Sequence, residues 1–385
     1  MLGDVPPRAR LIRTRVIAVL GVWAFSFVFI GCQSPKIAPP GTTAQELVAE
    51  AREEGLPIEN PMELSPDMEH DVDVAIGHRG EPRDRLHKLI RHLNDRNIGF
   101  EQVQGVSLPV KRAYREHRGD CMTYAMLFVA LSRHLGLETH FVHAAEVLSY
   151  YESGDSLYAS SHIAVGYGNN PDDIVVDFTH AYDDWHLAAY HRIDDAAAIA
   201  LYFNNVAAYA MNEGRAHYAE RMLAFLVEKR PNLAELHNNL IVAHLRQDQF
   251  SQALEVARRG IALFPSYRPM FTNAIQAAYG VGKFDLAHQY EARAATISGN
   301  DPLFVFARGL QLYQRTEYSR AAEEFERALD ADKDSVVIVA WLVRAHLSAG
   351  HREEGLEAFA RAQKIAPNDH RLKELMERFP ELRGL

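Results

Sequence analysis

The stretch AAEEF, residues 321–325, carries the pattern that decides the fold of the C-terminal half of this 385-residue chain. Its first alanine belongs to a row of small residues that recur at intervals of 34 positions: Ala219, Ala253, Ala287, Ala321 and Gly355. Two further rows follow multiples of the same period: Ala294, Ala328 and Ala362, and Pro231, Pro265 and Pro367. Gly299 and Lys333 stand at the two positions that interrupt the proline row. A fixed period of this length predicts five structural units between residues 200 and 367.

The period and its residue types resemble the tetratricopeptide repeat, a pair of antiparallel helices. Small residues let the two helices cross closely, Phe325 and Phe359 fill the space between repeats, and proline ends the second helix. The resemblance implies an all-α superhelix whose groove binds a protein or peptide. A rigid support or an oligomer contact is the alternative. Residues 368–385 are expected to form a capping helix, because their apolar positions follow helical spacing.

The middle of the chain holds the run RGDCMTYAMLFVAL, residues 118–131. Its polar start precedes a long apolar segment, so Asp120 is expected to cap a helix. Cys121 then lies in the first turn, where backbone N–H groups and the helix dipole favour a thiolate over a thiol. A nucleophilic cysteine needs this environment, although a single cysteine at a helix start is often only a small buried hydrophobic residue.

Two runs after this helix alternate as strands do, and a polar turn joins them: residues 161–167 and 174–179. They predict an antiparallel hairpin in which Tyr167 pairs with Ile174. In that register His162 and Asp177 share one face of the hairpin as diagonal neighbours. A slip of one residue would place them on opposite faces, so the prediction is geometrically sharp.

A cysteine at a helix start, a histidine on a strand and an aspartate on the next strand follow the order of the transglutaminase-like superfamily. Gly119-Asp120-Cys121 resembles the nucleophile segment of that family, and His162 and Asp177 stand where its histidine and aspartate strands would be. The resemblance covers roughly residues 80–185. It implies an α+β papain/transglutaminase-like core over residues 71–199, ahead of the all-α repeat superhelix.

The resemblance implies Cys121 as the nucleophile, His162 as the base and later the acid, and Asp177 as the group that orients the imidazole. Thiolate attack on an amide carbonyl would give a thioester, followed by transfer to water or an amine. The backbone N–H of Cys121 would contribute to an oxyanion hole. The implied activity is a cysteine-dependent amide hydrolase or acyltransferase, with hydrolysis favoured because nothing in the sequence specifies an amine site. The alternative is an inactive fold that acts as an assembly factor through its repeats.

The N-terminus has the charge and hydropathy pattern of a targeting segment. Four arginines precede the apolar run Val16–Gly31, which is short for a membrane-spanning helix. The run ends directly before Cys32 and resembles the bacterial lipobox, with Phe29 in place of the usual leucine. The resemblance implies removal of residues 1–31 and lipidation of Cys32.

The expected location is the bacterial cell envelope, where several acyl chains on Cys32 would anchor the protein in a membrane. Gln33 follows, rather than the aspartate associated with inner-membrane retention, which favours the outer membrane and a periplasmic orientation. A plain cleaved signal or an uncleaved anchor is the alternative. Residues 32–70 are expected to be a tether and leading segment.

Composition excludes several classes of protein. A net charge of −10 and a pI near 6.0 argue against non-specific nucleic-acid binding. Two cysteines exclude a disulfide scaffold and a thiolate-rich zinc module. The sequence has no phosphate-binding glycine loop, so no cofactor is expected. Its histidines lack a tight ligand spacing and no metal is expected, the densest patch being that around His180 and His186.

Overall fold

The computed structural model describes residues 43–383, apart from 57–59, 95–99, 104–105, 154–155, 169–173, 177–190, 299–301 and 331–332. The helices before the repeat array are α1 Ala44–Glu53, α2 Pro66–Ala75, α3 Pro82–Asn94, α4 Val110–Glu116 and α5 Cys121–His134. The strands are β1 Glu101–Gln102, β2 Arg118–Gly119, β3 Thr139–Ser153, β4 Ser156–Tyr167, β5 Ile174–Val176 and β6 His191–Ile193. Cys32 and the apolar run before it lie outside these residues. None of the helices described is both long enough and apolar enough to cross a bilayer.

Helix α1 falls within the segment expected to be a tether and leading segment, and α2 begins there and continues past residue 70. The side chain of Thr43 accepts a hydrogen bond from the backbone N–H of Glu46, and the Glu46 carboxylate accepts one from the N–H of Thr43 at 2.7 Å. This reciprocal capping box starts α1. Leu47 and Ala51 are buried and belong to the main hydrophobic core. The leading segment is therefore partly a structural element of the core.

The sheet has four strands in the order β5-β4-β3-β6, and every neighbouring pair is antiparallel. Tyr167 pairs with Ile174 and Val165 with Val176, so the predicted hairpin register is confirmed as far as the described residues extend. The central strand β3 was not predicted. Helix α5 packs against β3 and β4, which gives this part of the chain an α+β arrangement.

The C-terminal half consists of consecutive helices that pack in antiparallel pairs. They are α6 Asp195–Asn212, α7 Ala216–Lys229, α8 Ala234–Leu245, α9 Phe250–Leu263, α10 Arg268–Gly280, α11 Phe284–Ser298, α12 Pro302–Gln314, α13 Tyr318–Leu329, α14 Val336–Ser348, α15 Arg352–Ile365 and α16 His370–Arg378. The alanines of the 34-residue row are fully buried. A Cβ on Gly355, the last member of that row, would lie 2.5 Å from a methyl carbon of Leu347. The residues of this row are small because the helices cross closely there.

Helix α16 covers the end of the array. Leu372 and Leu375 are buried in the same cluster as Phe359, and Asp369 caps the helix through its side chain. The predicted capping helix is therefore confirmed. Its apolar face protects the last repeat from solvent, as a terminal helix of a solenoid must.

The sheet and the first repeats are joined by polar contacts as well as by apolar packing. Arg133 at the end of α5 binds the Asp195 carboxylate through both terminal nitrogens, at 2.5 and 2.9 Å. The imidazole of His143 on β3 lies 3.1 Å from the Glu235 carboxylate of α8, and both side chains are buried. These pairs connect the α+β part to the first two repeats.

The buried side chains of the described residues form two clusters. The first runs from Leu47 to Phe304, so it includes the α+β part and the first three helix pairs of the array. The second runs from Val305 to Leu382 and belongs to the last two pairs and the capping helix. The boundary between hydrophobic cores thus falls inside the array.

Candidate functional site

The segment that leads into α5 is fixed by backbone geometry. His117 has a φ of 53°, the left-handed conformation that ends α4. The chain then pairs in parallel with β1, with Arg118 opposite Glu101 and Gly119 opposite Gln102. This short pairing sets the direction in which the backbone enters α5.

Asp120 caps α5 and is the centre of a buried polar cluster. Its carboxylate accepts hydrogen bonds from the Thr123 backbone N–H and the Thr123 hydroxyl, both at 2.8 Å. Ser107 donates a further hydrogen bond to the same carboxylate. The backbone N–H of Leu108 donates to the Thr123 hydroxyl at 2.8 Å. The predicted cap is therefore confirmed, and it also holds the loop before α4 against the start of α5.

Gly119 is needed because Thr123 lies directly against it. A Cβ at position 119 would lie 2.5 Å from Thr123 Cγ2 and 2.7 Å from Thr123 Cβ. The Gly119-Asp120 pair thus has a packing role and a capping role. Both roles stabilise the start of α5, where Cys121 lies.

Cys121 is the first residue of α5 and is half-buried, whereas every residue from Met122 to Ser132 is buried. The helix is apolar on nearly all sides, and it approaches solvent at its two ends, at Cys121 and at Arg133. A thiol at this position lies at the positive end of the helix dipole, which stabilises a thiolate. The prediction that Cys121 lies in the first helical turn is confirmed.

His162 lies on β4, opposite Ala144, and is 7% exposed. The ladder is irregular immediately beyond this pair, since the register shifts between Ala144 and Leu148 on β3. Strand β4 is in contact with α5, so the elements that carry Cys121 and His162 are adjacent. Asp177 lies outside the described residues, one position beyond the end of β5 at Val176. Its predicted position beside His162 stays a prediction.

A row of asparagines connects this region to the repeats, and the sequence analysis missed it. In the array, Asn273 donates to Asn238 and Asn239 donates to Asn204, each at 2.9 Å. Asn238 also donates to Asn239 at 3.3 Å. Asn205, next in the chain to Asn204, donates to the Ser107 hydroxyl at 3.0 Å. The Asp120 cluster and the first helices of three successive pairs are therefore joined by nearly continuous polar contacts.

The signal for this row was present in the sequence. Two sets of asparagines follow the 34-residue period: Asn204 and Asn238, and Asn205, Asn239 and Asn273. The second set is half-exposed, whereas the first is buried. Amide side chains offer both donors and acceptors, so the half-exposed set can bind a peptide main chain.

The comparisons with known proteins agree with the helical pairs. The profile of the tetratricopeptide repeat family matches residues 312–379. The C-terminal half of this chain therefore contains tetratricopeptide repeats, as the sequence analysis predicted. None of the curated proteins is significantly similar to the chain.

Solved structures of repeat proteins are also similar to this chain. A thermophilic TPR protein from Thermus thermophilus is 21% identical, with a TM-score of 0.39, and the match covers 48% of this chain and 100% of that one. MamA from Desulfovibrio magneticus RS-1 is 15% identical, with a TM-score of 0.33 and coverage of 44% and 97%. YrrB, a TPR protein with an unusual peptide-binding site, is 16% identical, with a TM-score of 0.31 and coverage of 46% and 92%.

Proposed function

We propose that this chain is a transglutaminase-like cysteine amidase, a hydrolase or acyltransferase that receives a peptide from its tetratricopeptide repeats. The observation that carries the proposal is the position of Cys121, half-buried at the start of an otherwise buried helix whose cap is hydrogen-bonded to the first repeat through Ser107 and Asn205. A buried structural cysteine would not need to be partly accessible in the first turn of α5, as Cys121 is.

The proposed reaction uses the thiolate of Cys121 to attack an amide carbonyl carbon. The resulting oxyanion would be held by the backbone N–H of Cys121. His162 would give a proton to the leaving amine as the C–N bond breaks, which leaves a thioester on Cys121. Water, activated by the same imidazole, would then attack the thioester, release the acid and restore the thiol. Asp177 would keep the imidazole oriented and stabilise its charged form.

The test of the nucleophile is the alkylation rate of Cys121 by iodoacetamide in the full chain with Cys32→Ser, which leaves one thiol. We expect a rate well above that of the urea-unfolded chain at neutral pH, because the base and the helix start favour the thiolate. His162→Ala should slow the reaction sharply. His140→Ala is the matched control, since His140 is another buried histidine on the same sheet.

Two results would favour an inactive scaffold that acts through its repeats over an enzyme. One is wild-type alkylation no faster than that of the unfolded chain, and the other is equal slowing by His162→Ala and His140→Ala. If the enzyme is active, Cys121→Ala and His162→Ala should each abolish nearly all turnover, and the double variant should be scarcely worse.

The proposed substrate is an extended peptide, which the half-exposed asparagines would hold by its main chain. Asn239 and Asn273 are half-exposed and follow Asn205 on successive repeats, so a peptide along this row would approach the start of α5. Proximity labelling in the native envelope, with wild type against Cys121→Ala, would identify neighbours and trapped substrates. Adding Asn239→Ala and Asn273→Ala to Cys121→Ala should remove the trapped substrates. The same two changes in a chain that keeps Cys121 should leave its alkylation rate unchanged.

We place the protein at the bacterial outer membrane, facing the periplasm, with lipidated Cys32 as its anchor. The support is the arginine-flanked apolar run that ends in Gly31-Cys32. Cys32→Ala should abolish labelling with a palmitate analogue and release the protein from the membrane fraction. Membrane attachment and mass unchanged in that variant would remove the anchor from the proposal.

A further inference from the structure

We propose that Asp73, His78 and His134 form a binding site for a divalent transition metal, with Zn²⁺ as the ion that suits them best. The Nε2 atoms of His78 and His134 lie 2.8 and 2.9 Å from the same oxygen, Oδ1 of Asp73. Their potential ligand atoms all lie within 4.8 Å of one another. The three residues come from α2, the loop after it and the end of α5, so the fold brings them together from distant positions.

The donor set fits zinc chemistry. Neutral imidazole and carboxylate are standard zinc ligands, and a tetrahedral site has bond lengths of about 2.0–2.2 Å. Ligand atoms in such a tetrahedron are about 3.3 Å apart, so each histidine nitrogen needs to move only about half an ångström further from Oδ1 of Asp73. The side chains of His78, Asp73 and His134 are 53, 38 and 23% exposed. The fourth position is therefore open to water.

The electrostatic surroundings favour a cation. Helix α2 ends at Ala75 and α5 ends at His134, so the partially negative C-terminal ends of two helices meet beside the cluster. Glu69, one turn before Asp73, places a carboxylate oxygen 3.8 Å from Nδ1 of His134. At this distance the carboxylate adds negative charge beside the second imidazole nitrogen of His134 without hydrogen bonding to it, which also favours a cation at the cluster.

A buried arginine is hydrogen-bonded to the backbone next to both histidines. Arg85, which is 6% exposed, donates through Nε to the carbonyl of Gly77 at 3.0 Å and through Nη2 to the carbonyl of Leu135. These carbonyls belong to the residues next to His78 and His134. The guanidinium charge is directed at these two carbonyl groups, so the backbone beside both histidines is held before any ion binds.

The cluster is separate from the proposed active site. Cys121 and His134 are at opposite ends of α5, and a helix of this length spans about 20 Å. The expected role of the ion is to tie the loop after α2 to the end of α5. The inference does not depend on the reaction proposed for Cys121.

The test is zinc binding by the untagged full chain, measured by competition with a chromophoric chelator. We expect one zinc per chain to be bound more tightly than any other, and His78→Ala, His134→Ala and Asp73→Asn each to weaken that site by about tenfold or more. His92→Ala is the matched control, because His92 lies 3.3 Å from the Asp71 carboxylate of the same α2, and this pair has no third His, Cys, Asp or Glu ligand among the described residues. Its zinc affinity should equal that of the wild type.

A second readout covers the case in which a variant is poorly folded. Co²⁺ in place of zinc should give the visible absorption of a four-coordinate ion in the wild type and in His92→Ala, and lose it in His78→Ala. His78 is more than half exposed in a loop, so its replacement does not threaten folding. The proposal is overturned by equal zinc affinity in the wild type and His78→Ala, or by the absence of any stoichiometric zinc site in the wild type.

Discussion

Asn205, in the first helix of the repeat array, donates a hydrogen bond of 3.0 Å to the hydroxyl of Ser107, which lies 98 positions earlier in the chain. Ser107 in turn donates to Asp120, the residue that caps the helix starting at Cys121. A change in the first repeat therefore has a short route to the candidate nucleophile. This route runs through side chains that can be removed one at a time.

The first prediction concerns this connection. Asn205→Ala should lower the free energy of unfolding by about 1 kcal/mol, because one partly buried hydrogen bond is lost. Ser107→Ala should also destabilise the protein, and the double variant should show less than the sum of the two effects. Urea unfolding of the four proteins of this cycle measures the coupling. Strict additivity would mean that the two side chains do not act together.

Replacement of the helix cap gives the second prediction. Asp120→Ala should cost about 0.5–2 kcal/mol, since the Thr123 backbone N–H and hydroxyl lose their acceptor. Asp120→Asn should cost less, because an amide oxygen still caps a helix. Thermal unfolding and Cys121 alkylation can be followed on the same samples. Equal stability of the alanine variant and the wild type would contradict the capping role.

The third prediction is steric. Gly119→Ala should destabilise the protein by about 1–3 kcal/mol, because the added methyl group overlaps the Thr123 side chain. Thr123→Ser removes Cγ2, the nearest atom, and keeps the hydroxyl that the cap uses. The double variant should therefore recover part of the lost stability. If Thr123→Ser gives no recovery, the clash is not the cause of the destabilisation.

The fourth prediction is a pH dependence of stability that originates in the array. Burial lowers the pKa of His237 below its usual value, while its hydrogen bond to the Pro231 carbonyl acts in the opposite direction. The unfolded chain, with a histidine pKa of about 6.5, then binds more protons than the folded one. The contribution of His237 to the free energy of unfolding is therefore fully present above about pH 6.5 and is lost as the pH falls below that value.

His237→Gln should flatten this dependence, and His217→Gln is the control because His217 is exposed in the same array. Urea unfolding at a series of pH values from about 5 to 8 spans the region in which histidine titrates. The same slope in His237→Gln and the wild type would show that another group is responsible.

Local sequence signals predicted those parts of the fold that local interactions decide. Asp120 caps α5 because a short polar side chain precedes a long apolar run, and the alternating runs on either side of a polar segment predicted the pairing of Tyr167 with Ile174. The same kind of signal was missed at Thr43 and Glu46, where a capping box starts α1 inside a segment expected to contain a tether. The proline-rich composition before it concealed a real helix start.

Other features depend on tertiary contacts and could not be predicted from one stretch. Strand β3 spans 15 residues and includes Ala144-Ala145-Glu146, a run of low strand propensity where its register with β4 shifts, so its length depends on pairing with β4 on both sides of that irregularity. The cluster of Asp73, His78 and His134 also had no local spacing to reveal it, since 56 positions separate its two histidines. Only the packing of α2 against α5 brings them together.

The division of the hydrophobic core inside the array has a consequence for how such chains can be recombined. The repeats begin near residue 195, yet the first three pairs share their core with the sheet, and a separate core starts only at Val305. A chimera joined near residue 200 would leave apolar surface of α5 and the sheet uncovered. A junction near residue 300 would keep the second core intact and would move Phe304, the last residue of the first core, into the exchanged part, so the terminal repeats are the part that can be exchanged for those of another protein.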